Sequence, residues 1–378
     1  MSLARLIALG IRAVLCALIV SSSWTCAGAG ETPRRRCAML FMQLPQSDER
    51  ELSELINDFD KLDRSVAEAR DSSTKAHLML RRQSLFGEII DKAEAATSNF
   101  DEWLNTVISQ FTSGSTYSDR QVVVAFLEVL RAKLTNSTHQ QQLPRIEYEL
   151  LHLRHDIARP KNSRGYPAAN LEWKRDLADF AKRFPRDDFS ARAMMELAWI
   201  GETSGDLSEA KQWYRSISSA FPGVPVGLRA EGAIFRLESR GQVLSLNARD
   251  LEGNAFDLAE LRGMNVVIHF WKTTVQPSIA ELEQFVAIQK RLGRDRVAIV
   301  AVNLDRDRKN AEAWVKRTRE AVRILYDPAG LEGALAVQLG VIRLPTTFVL
   351  GKSGEVLHTC VYMSQKDSAM IESILRQR

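Results

Sequence analysis

Val266-Val267-Ile268-His269-Phe270-Trp271-Lys272-Thr273-Thr274-Val275-Gln276-Pro277-Ser278 is the stretch whose reading decides the fold. Its first six residues are apolar apart from one histidine, which is the pattern of a strand buried on both faces. A short polar break follows, and helical spacing then runs over 277–292. Working outward, Val297 to Leu304, Arg323 to Leu325, Thr347 to Leu350 and Val356 to Tyr362 read as further strands. Helices fit near 308–320 and 364–377. Gly351-Lys352-Ser353-Gly354 joins the last two strands as a hairpin turn. The change of texture begins at Gly241, where Val243 to Asn247 alternates. Strands alternating with helices imply a sheet covered on both faces.

Parallel strands, crossover helices and a terminal antiparallel hairpin make a thioredoxin-like α/β/α topology over 240–378. The segments Asp250 to Leu258, Leu261-Arg262-Gly263 and Val266 to Trp271 resemble the opening of a TlpA/ResA-type domain of the redoxin (AhpC/TSA) group. Val302-Asn303-Leu304-Asp305, Tyr326-Asp327, Gly340-Val341 and Leu344-Pro345-Thr346-Thr347-Phe348 resemble its second half. The resemblance implies an exported thiol-disulfide oxidoreductase whose phenylalanine-tryptophan pair leads into a C-x-P-C motif. Aligned on Phe270-Trp271 and Pro277, the two cysteine positions hold Val275 and Ser278.

That replacement removes the chemistry. The first sulfur must ionise and attack a disulfide, and the second must resolve the mixed disulfide. Valine carries no heteroatom, and a serine hydroxyl neither ionises in this range nor forms a disulfide. The peroxidase branch of the group places a single cysteine after threonine, but no thiol follows Thr273-Thr274. No catalytic residue, cofactor or metal is therefore expected, and Val275 and Ser278 are degenerate redox positions.

The resemblance also implies that Pro345 is the cis proline beside the active-site turn, exposing the backbone of Leu344 to an extended polypeptide. A binding groove built from Trp271, Thr274, Val275, Gln276, Pro277, Ser278, Leu344 and Pro345 is the corresponding expectation. Pro345 can equally be a requirement of the turn alone. Glu281 falls where the TlpA/ResA branch carries an acidic residue that manages thiol protonation; without thiols it reads as an exposed helical glutamate. His269 reads as a satisfied core histidine, and Phe270 and Trp271 as core. A Ser278–His269 hydrolase would need an oriented base and an oxyanion hole, which the sequence does not supply.

Upstream, 46–239 is helical. Leu52, Leu55, Ile56, Phe59 and Leu62 recur at three- and four-residue steps. Helices are expected near 74–98, 119–134 and 143–157, with breaks at Ser113-Gly114-Ser115, Asn136 to Gln142 and Pro160 to Pro167. The helical part divides into 46–165 and a repeat region, 166–239. There Phe184-Pro185 recurs as Phe221-Pro222, a shift of 37 residues that also carries Arg192-Ala193 onto Arg229-Ala230. Gly205-Asp206 makes the inner turn. The repeat resembles a degenerate tetratricopeptide (TPR-like) unit, read either as a partner-binding groove or as a packed spacer. His152 and His155 are three apart on one helix face and read as surface residues, not as a metal site. Asn136-Ser137-Thr138 fits a glycosylation sequon.

Residues 1–29 read as a signal peptide: Arg5 and Arg12, an apolar run from Ala13 to Val20, then Ala27-Gly28-Ala29 as a cleavage pattern. An uncleaved anchor is the alternative. Residues 30–45 form a leader containing Arg34-Arg35-Arg36. Of four cysteines, Cys16 and Cys26 lie in the signal, leaving Cys37 and Cys360 as a pair that sequence alone does not bring together. The net charge of +4 falls to +2 without Arg5 and Arg12, so neither nucleic acid nor an acidic membrane surface is indicated as a partner. No later segment is apolar enough to span a membrane.

The leading expectation is an exported protein of the periplasm or cell envelope, redox-inactive, that binds or scaffolds another protein. The alternative is a TlpA/ResA-type oxidoreductase serving cell redox homeostasis through Cys360. A third reading gives all function to the helical half.

Overall fold

The computed structural model describes residues 54–377, apart from 56, 60, 63, 67, 97–98, 113–119, 159–170 and 319–321. The predicted signal, the leader and Cys37 therefore lie outside the described residues, as do the breaks expected at Ser113–Ser115 and Pro160–Pro167. The chain divides into two compact units, Met1–Tyr166 and Pro167–Arg378.

In the first unit, α1 (Ser72–Ala96), α2 (Phe100–Thr112), α3 (Arg120–Leu134) and α4 (Leu143–Ala158) gather around one apolar cluster. Phe86 of α1 is its centre, with ring centroids 4.4 Å from Phe59 and 4.9 Å from Phe126. Helix α2 falls in the region read as helical but was not delimited, although Phe100, Trp103, Leu104 and Val107 carry the spacing of a buried stripe. The break expected at Asn136–Gln142 is a turn and a short 3-10 helix, Gln140–Gln142, pinned where His139 Nδ1 meets Asp101 Oδ1 at 3.0 Å.

The second unit opens with α5 (Leu171–Arg183), α6 (Asp188–Ser204), α7 (Leu207–Ala220) and α8 (Pro225–Glu238). The sequence repeat is a repeat of helical hairpins. Asp187 caps α6, its carboxylate accepting from the Phe189 N–H at 2.8 Å. Gly205, at φ 83°, ends α6 in the left-handed conformation that glycine adopts without strain, and Asp206 caps α7. Ala191, Ala198, Ala210, Tyr214, Ile217, Phe221 and Ala230 fill the space between these helices.

The α/β part carries a two-stranded ribbon, β1 (Asn247–Arg249) with β2 (Ala255–Asp257), and a five-stranded sheet in the order β5-β4-β3-β6-β7. Its strands are β3 (Asn265–Trp271), β4 (Val297–Asn303), β5 (Arg323–Tyr326), β6 (Thr346–Leu350) and β7 (Val356–Val361). β3, β4 and β5 run parallel, while β6 and β7 run antiparallel to their neighbours. β3, β4 and β6 are buried at every position, which is why they read as continuous apolar runs. Alternate residues of β3 feed two cores: Val266, Ile268 and Phe270 on one face, Val267 and Trp271 on the other. Helices α9 (Gln276–Leu292), α10 (Arg308–Thr318) and α12 (Gln365–Arg376) cover the second face, and the short α11 (Ala334–Gln338) lies on the first.

Helix α8 packs directly on this first face. A Cβ placed on Gly340 would come within 2.2 Å of the Gly232 carbonyl, so the two backbones touch where side chains would not fit. Four residues on, Arg236 Nε donates to the Gly340 carbonyl at 3.0 Å. The same guanidinium makes two bonds to the Glu202 carboxylate of α6, at 2.9 and 2.7 Å. The sequence placed a boundary at 239/240, whereas Pro167–Arg378 is one compact unit in which α8 meets the loop after α11 at backbone level through Gly232 and Gly340.

Candidate functional site

The turn between β3 and α9 holds Val275 and Ser278, the two positions the sequence reading took as degenerate. Val275 is the N-cap residue of α9 at φ −110°, ψ 88°, and its side chain makes no capping bond. Pro277 occupies the first turn, where a missing N–H costs nothing. Ser278 is fully buried. Its hydroxyl donates to the Val275 carbonyl at 2.7 Å and accepts from the Lys272 N–H at 3.2 Å, so it closes the turn upon itself.

His269 lies directly beneath. A carbonyl only accepts, so the 2.8 Å contact between His269 Nε2 and the Ser278 carbonyl assigns the ring proton to Nε2. Nδ1 then accepts from the Thr347 hydroxyl at 2.9 Å. With no solvent contact, burial pushes the imidazole down to about 4, and it stays neutral. Both nitrogens are occupied and neither meets the Ser278 hydroxyl. The histidine is a core residue, as read, and the serine has no base.

A contact the sequence reading missed holds the loop from the other side. Asp305, buried just past the end of β4, accepts from the Thr273 N–H at 3.1 Å and from the Thr273 hydroxyl at 2.9 Å. Asn303 steadies that carboxylate through its Nδ2 at 2.9 Å. The available signal was the parallel pairing of β3 with β4, which sets Trp271 opposite Asn303 and so brings both strand ends to one edge.

Leu344–Pro345 is a cis peptide bond, as the resemblance implied. The surroundings differ from an open groove. Leu344 and Pro345 are buried. The Pro345 carbonyl accepts from the Tyr362 N–H at 3.1 Å. Trp199 of α6 lies against both flanks, 6.3 Å from the Tyr362 ring and 4.7 Å beneath the Arg343 guanidinium. Trp271 points into the core, 4.8 Å from Trp314. Of the eight residues expected to line a groove, Thr274, Gln276 and Pro277 are exposed and Val275 is half-buried; Trp271, Ser278, Leu344 and Pro345 are interior.

Glu281 requires a correction. It is not an exposed helical residue: Oε1 accepts from the Met363 N–H at 2.8 Å, while Oε2 is buried without a hydrogen bond. Burial pushes this carboxyl up to about 7, and the Asp367 charge adds to the shift. The residue faces the loop after β7, a neighbour that helix periodicity does not reveal. Cys360 stands on β7, half-buried, directly across from Thr347 of β6. Burial, with Asp367 and Glu281 behind it, pushes its thiol up to about 12. A thiol so placed is a poor nucleophile at neutral pH.

The C-terminal part of this chain is similar to known proteins. The family model described as Redoxin matches residues 238–375. The sporulation thiol-disulfide oxidoreductase A of Bacillus subtilis is 28% identical over 114 residues, which cover 29% of this chain and 67% of that protein. The thiol-disulfide oxidoreductase ResA of Geobacillus thermodenitrificans is 31% identical over 107 residues, covering 28% of this chain and 60% of the relative. A solved thiol-disulfide oxidoreductase from Bacteroides fragilis is 22% identical, with a TM-score of 0.30, covering 35% of this chain and 97% of its own. Among the described residues no helix is long and apolar enough to cross a membrane. The C-terminal part of this chain, residues 238–375, is a redoxin domain homologous to the ResA thiol-disulfide oxidoreductases.

Proposed function

We propose that this chain is an exported, redox-inactive protein of the cell envelope that binds another protein through its redoxin domain and helical hairpins. The observation that carries the reading is the turn at Val275–Ser278. Where exchange chemistry needs two sulfurs, it has a hydrocarbon side chain and a hydroxyl consumed by its own backbone. The remaining cysteine described, Cys360, is held as a neutral thiol. Surfaces available to a partner are the exposed turn Thr274–Pro277 and the helical hairpins, where Leu207, Val224 and Leu228 are solvent-exposed apolar residues.

Reduction of insulin by dithiothreitol is the direct test. The purified protein should not accelerate it, and turnover that disappears in Cys360→Ser would establish the oxidoreductase reading instead. Restoring both positions, Val275→Cys with Ser278→Cys, should create a dithiol that oxidises to a disulfide. Failure of that pair to bond would show that the positions are misassigned. Photo-crosslinking of the full chain from Gln276 and from Leu228 in the envelope fraction would identify the face that holds a partner; no adduct from either would defeat the binding role.

A further inference from the structure

A second cluster lies away from the Val275–Ser278 turn. His358 and Cys360 are two residues apart on β7, so their side chains stand on the same side of the strand. The first turn of α12 brings Asp367 to them. His358 Nε2 lies 2.9 Å from Asp367 Oδ1, and one donor atom from each of His358, Cys360 and Asp367 lies within 4.8 Å of the others. These side chains form part of the wall of a cavity of about 350 Å³, which α6 and α8 complete with Trp199, Glu202 and Arg236. We propose that His358, Cys360 and Asp367 form a binding site for a zinc-like divalent cation, with water from the cavity as a fourth ligand.

The donor chemistry selects the class of ion. One imidazole nitrogen, one sulfur and one carboxylate oxygen suit a borderline cation, not magnesium or calcium, which take oxygen. Zinc bonds of about 2.0–2.3 Å set tetrahedral donors about 3.2–3.7 Å apart, so side-chain rotation of roughly 1 Å closes the cluster. The capping box at the start of α12 fixes Asp367: the Ser364 N–H donates to its Oδ2 at 2.9 Å, leaving Oδ1 on the His358 side. Binding replaces the proton shared by His358 and Asp367. It also converts the Cys360 thiol to a thiolate, whose proton leaves to solvent.

The surrounding charge favours a cation. Glu281, with one buried carboxylate oxygen lacking a hydrogen bond, lies close enough for its charge to act on Cys360. Of the two arginines on the cavity wall, Arg236 is paired with Glu202 by two bonds and Arg240 is exposed to solvent. The linear sequence flagged Cys360 as an alternative redox cysteine but not with His358 and Asp367, because the ligand set is split between a strand and the helix that follows it.

The test uses the untagged full chain with Cys16, Cys26 and Cys37 replaced by serine, so that Cys360 is the remaining thiol. Zinc competed against a chromophoric chelator should bind at one ion per chain. Cobalt in its place should show thiolate-to-metal charge-transfer absorption. His358→Gln should weaken binding at least about tenfold, and Cys360→Ser should abolish the charge-transfer band. A measurement independent of these variants is X-ray absorption of the zinc-loaded chain, which should show one sulfur at about 2.3 Å beside nitrogen and oxygen ligands. Cobalt loading without the band, or a zinc shell without sulfur, would overturn the site.

Discussion

Arg236 and Glu202 form a two-bond ion pair with only 2% and 8% of their side chains exposed, and the same guanidinium also holds the carbonyl of Gly340. Glu202 in turn accepts from the Tyr214 hydroxyl at 2.6 Å. One arginine therefore binds α6, α8 and the segment leading to the cis proline. Removing either partner strands a charge in the interior. Glu202→Gln should lower the stability of this unit by about 3–5 kcal/mol, read as a shift in the urea midpoint. A change below about 1 kcal/mol would mean that water reaches the pair.

The Gly232–Gly340 contact gives a steric prediction. Gly340 has φ 61°, and an added methyl would sit 2.2 Å from the facing carbonyl. Gly340→Ala should cost at least about 2 kcal/mol from overpacking and open the 239/240 region to limited proteolysis. Gly205→Ala has open space around its Cβ and pays mainly for its left-handed backbone. It should cost less than Gly340→Ala and leave the proteolysis pattern unchanged.

Ser278 is assigned a structural role, and its truncation reports on that. Ser278→Ala leaves the Lys272 N–H without its acceptor and removes the bond to the Val275 carbonyl, at a cost of about 1–3 kcal/mol in thermal or urea unfolding. An ester-hydrolysis activity in the parent protein that vanishes in this variant would reverse the assignment.

His269 and Glu281 impose opposite pH dependences on the metal-free protein. His269 titrates at about 4 when folded against an ordinary 6.5, so the unfolded chain binds the extra proton between these values and stability rises with pH there. Glu281 titrates at about 7 against 4.5, so the folded chain holds the extra proton and stability falls as pH rises through that window. The two effects oppose each other where the windows overlap. In chelator-containing buffer, Glu281→Gln should be more stable than the parent at pH 8 and should show a steeper rise between pH 4.5 and 6.5. Parallel stability curves for the two proteins would exclude a raised Glu281.

The strands were legible because burial on both faces leaves an unbroken apolar run, as in Val266–Ile268 and Ile299–Val302. The cis Pro345 was legible from a resemblance carried by local motifs. What escaped was tertiary. Asp305 reaches Thr273 across a parallel pairing, Glu281 turns toward the loop after β7, and Trp199 lies beside Arg343 and Tyr362, which follow it by more than a hundred residues. None of these contacts lies within one helix or one strand, so periodicity along the chain does not announce them.

The meeting of Gly232 with Gly340 holds α8 at backbone distance from the loop after α11. A ligand that spans α5–α8 and the α9 turn would meet two patches already held together and would lose less free energy in assembling them. Recognition would then be selective by shape: a partner whose two contact patches are set at the wrong angle could use one of them, but not both.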